Sequence, residues 1–227
     1  MKGLRGFARD NGLSLFFGVL FLAALVLQAI SGHASFNDEQ RQHDSAGISL
    51  GRYVTSAQFA VAVLENWQSE YLQFTLFILL TVWLLQRGSP ESKEMDKAGL
   101  ESAEDQKLGE HAPDDAPRWA KAGGLRTAIY SNSLLLVMGS IWVATWLAQS
   151  VAGWTEYTES LIEHHRDPVS WWQYLSSGDF WERSLQNWQS EFLAVGSMAI
   201  FAVYLRQRGS PESKPVGAPH HATGVEG

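Results

Sequence analysis

The chain has 227 residues, which is enough for one or two domains, and its formal net charge is −7. Its acidic balance and lack of a basic stripe give no indication of a nucleic-acid partner, and the absence of cysteine excludes disulfides and thiolate metal sites. Hydrophobic residues make up 45% of the chain and are concentrated in a few long runs.

The first apolar run predicts a membrane-spanning helix. No Asp, Glu, Lys or Arg occurs from Asn11 to Asn37, and a span of the bilayer core needs roughly 20 mostly apolar residues. We place this span at about residues 13–31. The same region, ending near Ala34, also resembles a cleaved secretory signal. The run is longer than a usual signal, and its counterpart at Leu134 is internal, so we favour a span.

A shorter apolar run predicts a second helix, with a span at about residues 66–86. The run from Tyr71 to Gln86 has 16 residues, which reach only ~24 Å at ~1.5 Å per residue. The hydrocarbon core is ~30 Å thick, so the helix must begin further upstream. The residues after Thr55 resemble a capping box, and we therefore expect the helix to run from near Ser56 to Gln86.

A segment without long apolar runs separates the two halves of the chain. Residues 94–120 are acidic and contain Pro, Gly and Ser, which predicts a disordered linker. The tail, residues 215–227, has the same character. Between them, two further apolar runs predict spans at about residues 133–152 and 187–206.

The two halves are copies of one unit. A shift of 121 residues aligns Gly3–Lys93 with Gly124–Lys214 without a gap, and 32 of the 91 pairs are identical. Such self-similarity predicts a tandem duplication, with repeats at residues 1–93 and 121–214. Two blocks are retained in full, and these are Asn66–Glu70 with Asn187–Glu191 and Gln86–Lys93 with Gln207–Lys214.

The distribution of basic residues predicts the topology. Of the 17 Lys and Arg residues, 13 lie in the N-terminus, in residues 87–131 and in the C-terminal region, and four lie in the loops between helices. The positive-inside rule therefore places both termini and the linker in the cytoplasm. The predicted fold is an all-α membrane protein with four transmembrane helices, built from two tandem parallel two-helix repeats. The second helix of each repeat is extended on the outer side.

The two retained blocks resemble those of a known family. Asn-Trp-Gln-Ser-Glu and Gln-Arg-Gly-Ser-Pro-Glu-Ser-Lys are similar to segments of bacterial membrane proteins grouped as domain of unknown function 6766. The resemblance covers Gly3 to about Val216. It implies four spans in the bacterial inner membrane, and it implies no activity and no site residues.

The first retained block contains a candidate polar site. On a helix, Asn66, Ser69 and Glu70 lie on one face, and an ionisable residue at membrane depth is costly unless it is paired or hydrated. Two-fold symmetry would bring Glu70 and Glu191 together, where they share a proton or hold a cation. The alternatives are that Glu70 reaches the headgroups and bonds to Asn66, or that it contacts a partner. The candidate residues are Glu70, Glu191, Asn66, Asn187, Ser69 and Ser190.

A neighbouring face of the same helices carries aromatic residues. Trp67 and Tyr71 lie together in the first copy, and Trp188 and Phe192 occupy the same positions in the second. Amphipathic aromatic rings are typical of membrane interfaces. We predict that these four residues are interfacial anchors.

The second retained block predicts a helix stop and a docking surface. Gly88 suits the residue after a helix and Pro90 ends it. Those needs do not fix the remaining polar residues, so the block also predicts docking of the two copies to each other or to another protein. A plain helix stop is the alternative. The candidate docking residues are Arg87, Ser89, Glu91, Lys93, Arg208, Ser210, Glu212 and Lys214.

Other polar residues are given structural interpretations. Gln28 and Gln149 occupy matching places late in the first span of each unit, where an amide is expected to hydrogen-bond across helices. His43 and His164 are matched in the outer loops, but no tight ligand spacing accompanies them. We therefore predict no metal site and no cofactor.

The pattern favours a protein without enzymatic activity. Phosphate loops, nucleophile elbows and cysteine nucleophiles do not occur in the sequence, and the retained residues cluster at the two membrane faces. We expect a structural, assembly or envelope-stress role. Expected partners are the lipid bilayer and either a second copy or another membrane protein. The alternative is a small cation or proton channel or transporter that uses the paired glutamates.

Overall fold

The computed structural model describes residues 4–225. Lys2, Gly3 and the last two residues of the predicted tail lie outside the described residues. Within the described part the chain forms helices and no strand, so the all-helical prediction is confirmed. The helices are α1 (Leu4–Asp10), α2 (Gly12–Gln42), α3 (Leu50–Val54), α4 (Ala57–Leu80), α5 (Arg118–Lys121), α6 (Gly124–Ser131), α7 (Ser133–Glu163), α8 (Trp171–Leu175) and α9 (Gly178–Tyr204), with a 3-10 helix at Gly109–His111.

The chain divides into two compact units. The first comprises Met1–Val63 and Ala152–Pro168, and the second comprises Leu64–Val151 and Val169–Gly227. The long helices α4 and α7 each contribute residues to both units. The contacts described below each lie within one unit.

Two helices, α2 and α7, are long and apolar enough to cross a membrane. Each has 31 residues, about 46 Å at ~1.5 Å per residue, which is longer than the ~30 Å core. The most apolar window of α2 is 0% buried and that of α7 is 17% buried. The predicted spans at 13–31 and 133–152 lie inside these helices.

Helix boundaries recur along the chain at a spacing of 121 residues. α2 and α7 begin at Gly12 and Ser133, and α4 and α9 begin at Ala57 and Gly178. The same sequence positions therefore start helices in both halves. Further matched pairs are the ends Gln42 and Glu163, the capping serines Ser49 and Ser170, and the residues with positive φ, Asp44 and His165.

In the first unit, Tyr53 of α3 packs against α2. Its side chain is buried, and its ring centroid lies 5.9 Å from that of His33 and 5.8 Å from that of Phe36. Phe59 at the start of α4 completes the cluster at 5.5 Å. Gly32 makes this approach possible, because a Cβ there would overlap the Tyr53 hydroxyl.

The helix α4 begins where the capping-box pattern placed it. Its first turn follows Ser56, whose hydroxyl accepts a hydrogen bond of 3.2 Å from the backbone N–H of Phe59. A serine that accepts from the third residue after it satisfies one of the unpaired N–H groups of a helix start. The upstream extension of this helix is therefore confirmed.

The end of α4 differs from the prediction, because the helix stops at Leu80 rather than at Gln86. In a continued helix, the N–H of Gln86 would pair with the carbonyl of Val82. Instead the Val82 carbonyl accepts from the N–H of Gly99 at 2.8 Å, and the N–H of Gln86 donates to the Ser92 hydroxyl at 3.0 Å. Residues further along the chain thus pair with the backbone groups that a longer helix would have paired internally.

The segment predicted to be a disordered linker contains local structure. It includes the 3-10 helix Gly109–His111 and the short helix α5, in which Ala120 is buried. The segment lines a cavity of about 850 Å³ together with residues from the end of α4 and the start of α7. Its disorder in solution stays a prediction.

Candidate functional site

In the second unit, an ion pair, a hydrogen bond and an electrostatic interaction join α4 to α9. Glu65, Gln68 and Ser69 lie at i, i+3 and i+4 on one face of α4. Their partners on α9 are Arg183, Trp188 and Glu191, respectively. We call these six residues the polar seam.

At one end of the polar seam, Arg183 lies between two carboxylates. Its Nη1 is 3.1 Å from Oε1 of Glu65, and its Nε is 3.0 Å from Oδ2 of Asp179. The hydroxyl of buried Tyr174 also donates to Oδ2 of Asp179, at 3.2 Å. The paired side chains are only 19–31% exposed, so solvent screens them less than an ordinary surface pair.

In the middle of the seam, Gln68 is completely buried. Its Oε1 accepts a hydrogen bond of 2.7 Å from the indole Nε1 of Trp188, and its Nε2 donates to the Glu65 carbonyl at 3.1 Å. Both ends of the amide are therefore satisfied. Burial of an unpaired amide would be costly, so this pairing stabilises the contact between α4 and α9.

The helix α7 joins the seam through Trp146. The Trp146 ring centroid lies 5.5 Å from that of Trp188 and 5.9 Å from that of Phe180. Its Nε1 donates to the hydroxyl of Ser184 at 3.2 Å, and Ser184 is completely buried. An aromatic ring with a satisfied N–H is a strong packing element, and it connects α7 to α9.

Glu70 and Ser69 both influence the electrostatic environment of the Glu191 carboxyl, and the predicted pairing of the two glutamates stays a prediction. Ser69 is buried, and its hydroxyl donates to the Asn66 carbonyl at 2.9 Å. Glu70 is exposed and Glu191 is half-buried. Two carboxylates beside a hydroxyl have the chemistry to share a proton or hold a cation.

The other predicted site residues make contacts within their own helices. The hydroxyl of Ser69 donates to the Asn66 carbonyl at 2.9 Å, and that of Ser190 donates to the Asn187 carbonyl at 2.8 Å. Asn187 Nδ2 donates to the carbonyl of Arg183 at 2.8 Å. Asn187 and Ser190 therefore support α9 itself through these bonds.

The predicted aromatic anchors have different surroundings. Trp67 is 37% exposed and Phe192 is 46% exposed, whereas Tyr71 is half-buried. Trp188 belongs to the polar seam and contacts Trp146. The anchoring role of the four residues stays a prediction.

The second retained block forms the same loop in both copies. We call residues 86–93 the first motif loop and residues 207–214 the second motif loop. The N–H of Gln86 donates to Ser92 Oγ at 3.0 Å, and the N–H of Gln207 donates to Ser213 Oγ at 2.9 Å. In both loops the first serine also accepts from a backbone N–H two residues later, at 3.3 Å.

The lysine that ends each motif loop donates hydrogen bonds to the chain segment that follows it. Nζ of Lys93 donates to the carbonyl of Gly99 at 2.9 Å, and Nζ of Lys214 donates to the carbonyl of His220 at 2.8 Å. Lys93 is also paired with Glu101. Internal hydrogen bonds therefore account for Ser89, Lys93, Ser210 and Lys214 among the candidate docking residues. Arg87, Glu91, Arg208 and Glu212 are exposed.

The remaining polar predictions have separate outcomes. Gln28 Nε2 donates to the Ala62 carbonyl at 3.3 Å, which links α2 to α4 as expected. Gln149 is buried, and neither its Oε1 nor its Nε2 has a hydrogen-bond partner among the described residues. Over residues 4–225, no group of three or more His, Asp and Glu side chains is placed to hold a metal ion.

Sequence reasoning missed the ion pairs of the seam. Glu65 aligns with Gln186, and Arg183 aligns with Ala62, so neither charge is retained in the other copy. A comparison of the two copies that looks only for identical residues therefore detects neither Glu65 nor Arg183. The available signal was that α4 contains acidic residues and no basic one, whereas Arg183 is the one basic residue of α9.

These contacts define the class: a helical protein with two helices able to cross a membrane, each joined to a neighbouring helix by a side-chain hydrogen bond. The chain belongs to the family described as Domain of unknown function (DUF6766), which matches it over residues 4–225. The resemblance seen in the retained blocks is thereby confirmed. No match was found among curated proteins or among solved structures.

Proposed function

We propose that this chain is a multi-pass protein of the bacterial inner membrane without enzymatic activity, and that it has a structural or assembly role in the cell envelope. Four spans are arranged as two parallel repeats, and both termini and the linker are cytoplasmic. The recurring helix boundaries, 121 residues apart, support the repeat. The basic residues at the predicted inner face support the orientation.

The exposure of α2 supports a lipid environment. Leu13, Phe16, Val19 and Leu27 are all more than 60% exposed, and the most apolar window of α2 is 0% buried. Exposed apolar surface costs about 25 cal/mol per Å² in water. Lipid tails remove that cost, so a bilayer is the natural partner of this helix.

The observation that supports the structural role is that side chains of the polar seam pair with each other between two helices. Arg183 with Glu65 and Trp188 with Gln68 form helix-to-helix contacts that satisfy each other's donors and acceptors. Polar pairs of this kind hold helices together in a membrane. The function they support is a fixed helical assembly, with the exposed residues of the motif loops available for partners.

The structural proposal is tested by measuring the mass of the native protein or complex. Wild-type protein in mild detergent is compared with a variant in which Ser89–Lys93 and Ser210–Lys214 are both scrambled. We expect the wild type to exceed the monomer mass, alone or with a co-purifying partner, and the scrambled variant to lose that mass. A wild type that is strictly monomeric in detergent and in nanodiscs contradicts the assembly role.

A second candidate function rests on Glu191, a half-buried carboxyl that interacts electrostatically with Glu70. Two close carboxylates favour binding of a cation or a shared proton. Pseudo-symmetric repeats often flank a transport path. This arrangement supports a small cation or proton channel or transporter.

The transport hypothesis is tested by cation and proton flux in proteoliposomes. Wild type is compared with the Glu70→Gln, Glu191→Gln double variant, and with Glu212→Gln as a control outside the seam. Flux that only the double variant loses supports transport at this pair. Absence of flux in sealed vesicles that contain folded protein counts against it.

A further inference from the structure

The C-terminal tail lies against the first motif loop. The N–H of Gly88 donates to the Thr223 hydroxyl at 2.8 Å, and the N–H of Gly224 donates to the Ser89 carbonyl at 3.0 Å. Each segment therefore donates one of the two hydrogen bonds, and the bonded residues are adjacent within each segment. The two segments, which are more than a hundred residues apart in the chain, pair over this short stretch.

Lys214 fixes the path of the tail. Its Nζ donates to the carbonyls of Pro219, His220 and Ala222 at 3.3, 2.8 and 3.2 Å. A lysine ammonium has three donors and no acceptor, so all three are used. The side chain is only 1% exposed, and the carbonyls replace the water that it loses.

His220 attaches the same turn of the tail to the end of α9. Its Nδ1 lies 3.2 Å from the Val203 carbonyl, and its ring centroid is 5.5 Å from that of Tyr204. The tail therefore folds back on α9 before it reaches the first motif loop. Its course is set by α9 and Lys214 on one side and by Gly88 on the other.

The two motif loops differ at the glycine that turns the chain. Gly88 and Gly209 have φ of 85° and 81°, a backbone conformation that favours glycine. A Cβ on Gly88 would overlap the carbonyl oxygen of His220 and lie 3.0 Å from Val203 Cγ1, whereas a Cβ on Gly209 would meet nothing within 4 Å. Atoms of the tail and of α9 therefore cover the first motif loop at its glycine, whereas no atoms of the described residues lie near the equivalent position of the second motif loop.

We propose that the first motif loop is a binding site for an extended peptide segment, and that its ligand is the chain's own tail, residues 220–224. Lys214 holds the tail in position through its hydrogen bonds, and the absence of a side chain at Gly88 leaves room for the tail. Because the ligand is tethered, its effective concentration is high, on the order of millimolar. Few hydrogen bonds then suffice to connect the loop after α4 to the end of α9.

The absence of cysteine from the chain permits a direct test. Cysteines replace Glu91 and Val225, which are both exposed, and a short bismaleimide is applied to the detergent-solubilised full chain. We expect efficient cross-linking within one chain. Gly88→Ala should reduce the yield about fivefold, the change expected when one such contact is lost. Lys214→Met should do the same.

Matched controls separate the tail contact from backbone strain. Gly209→Ala introduces the same left-handed strain without touching the tail, and Lys93→Met removes the equivalent lysine of the other loop. Both should retain the cross-link. An equal yield in all variants, or equal losses in Gly88→Ala and Gly209→Ala, would overturn the proposal.

The form of the product decides which tail binds. Cross-linked dimers without an intramolecular product would assign the site to the tail of a second copy and overturn binding in cis. This experiment does not require a bilayer, a topology or a partner protein. Its failure is therefore distinguishable from failure of the proposed function.

Discussion

The indole Nε1 of Trp188 donates a 2.7 Å hydrogen bond to Oε1 of Gln68, and this bond joins α9 to α4. Both residues belong to the retained Asn-Trp-Gln-Ser-Glu block, but the tryptophan comes from the second copy and the glutamine from the first. Their counterparts, Trp67 and Gln189, are exposed. The two copies of one block therefore supply complementary halves of a contact.

The Trp188–Gln68 bond is expected to contribute to stability. Trp188→Phe keeps an aromatic ring against Trp146 but leaves the buried Gln68 oxygen without this donor. We expect the free energy of unfolding to fall by about 1–3 kcal/mol, the cost of an unsatisfied buried polar group. Denaturant titration in detergent measures it. Trp172→Phe, at a side chain that is 71% exposed, is the control and should change little.

The Arg183–Glu65 pair is expected to behave as a coupled unit. Arg183→Met leaves the Glu65 carboxylate without its cation in a poorly solvated position, at a cost of about 1–3 kcal/mol. Glu65→Gln should recover part of that loss in the double variant, so the two changes are not additive. Arg41→Met breaks an exposed pair with Asp38 and should have little effect. Additive losses at Glu65 and Arg183 would contradict the pairing.

Gly32 is expected to be required for the position of Tyr53. Gly32→Ala forces the Tyr53 hydroxyl out of its place beside α2, and overpacking of this kind costs about 1–3 kcal/mol. Gly18→Ala is the matched control in the same helix, because a Cβ there meets nothing within 4 Å. The measurement is thermal unfolding in detergent. Tyr53→Phe should partly rescue Gly32→Ala, and equal effects at Gly18 and Gly32 would refute the contact.

The Lys93–Glu101 pair is expected to release its segment in acid. The hydrogen bond from Lys93 lowers the pKa of Glu101 below the ordinary value of 4.5. As the pH falls below 4.5, the unfolded chain binds the proton first, so the stability from this pair declines and is lost below the lowered pKa. The protection factor of the Gly99 amide, whose own carbonyl binds Lys93, should fall over that range once the exchange rate is corrected for its intrinsic pH dependence. Glu101→Gln should lower this protection factor at pH 7 and remove its further fall in acid.

The sequence was sufficient to predict the long helices, because their signals are local. Uncharged runs placed α2 and α7, the length of a bilayer span required α4 to start before Tyr71, and the capping-box pattern placed that start near Ser56. The end of α4 was not predictable in this way. It depends on Ser92 and Gly99, which lie beyond the helix and accept or donate bonds only after the chain turns back.

The site was predicted only where the two copies agree. Comparison of the copies selected Glu70 and Glu191, which interact electrostatically and whose role as a site stays a prediction. It could not select Glu65 and Arg183, since each is unique to its copy. Which faces of two helices meet depends on their rotation and packing, and a pattern within one helix does not contain that information.

Side-specific labelling of single cysteines tests the four-span membrane arrangement most directly. Lys97→Cys and Asp167→Cys are compared in intact and permeabilised spheroplasts with a membrane-impermeant maleimide, and Ala46→Cys marks the outside. Four spans predict that position 167 is labelled in intact spheroplasts and that position 97 is labelled only after permeabilisation. If α2 and α7 alone cross, the two positions exchange sides. Labelling of position 97 from outside together with protection of position 167 would contradict the account.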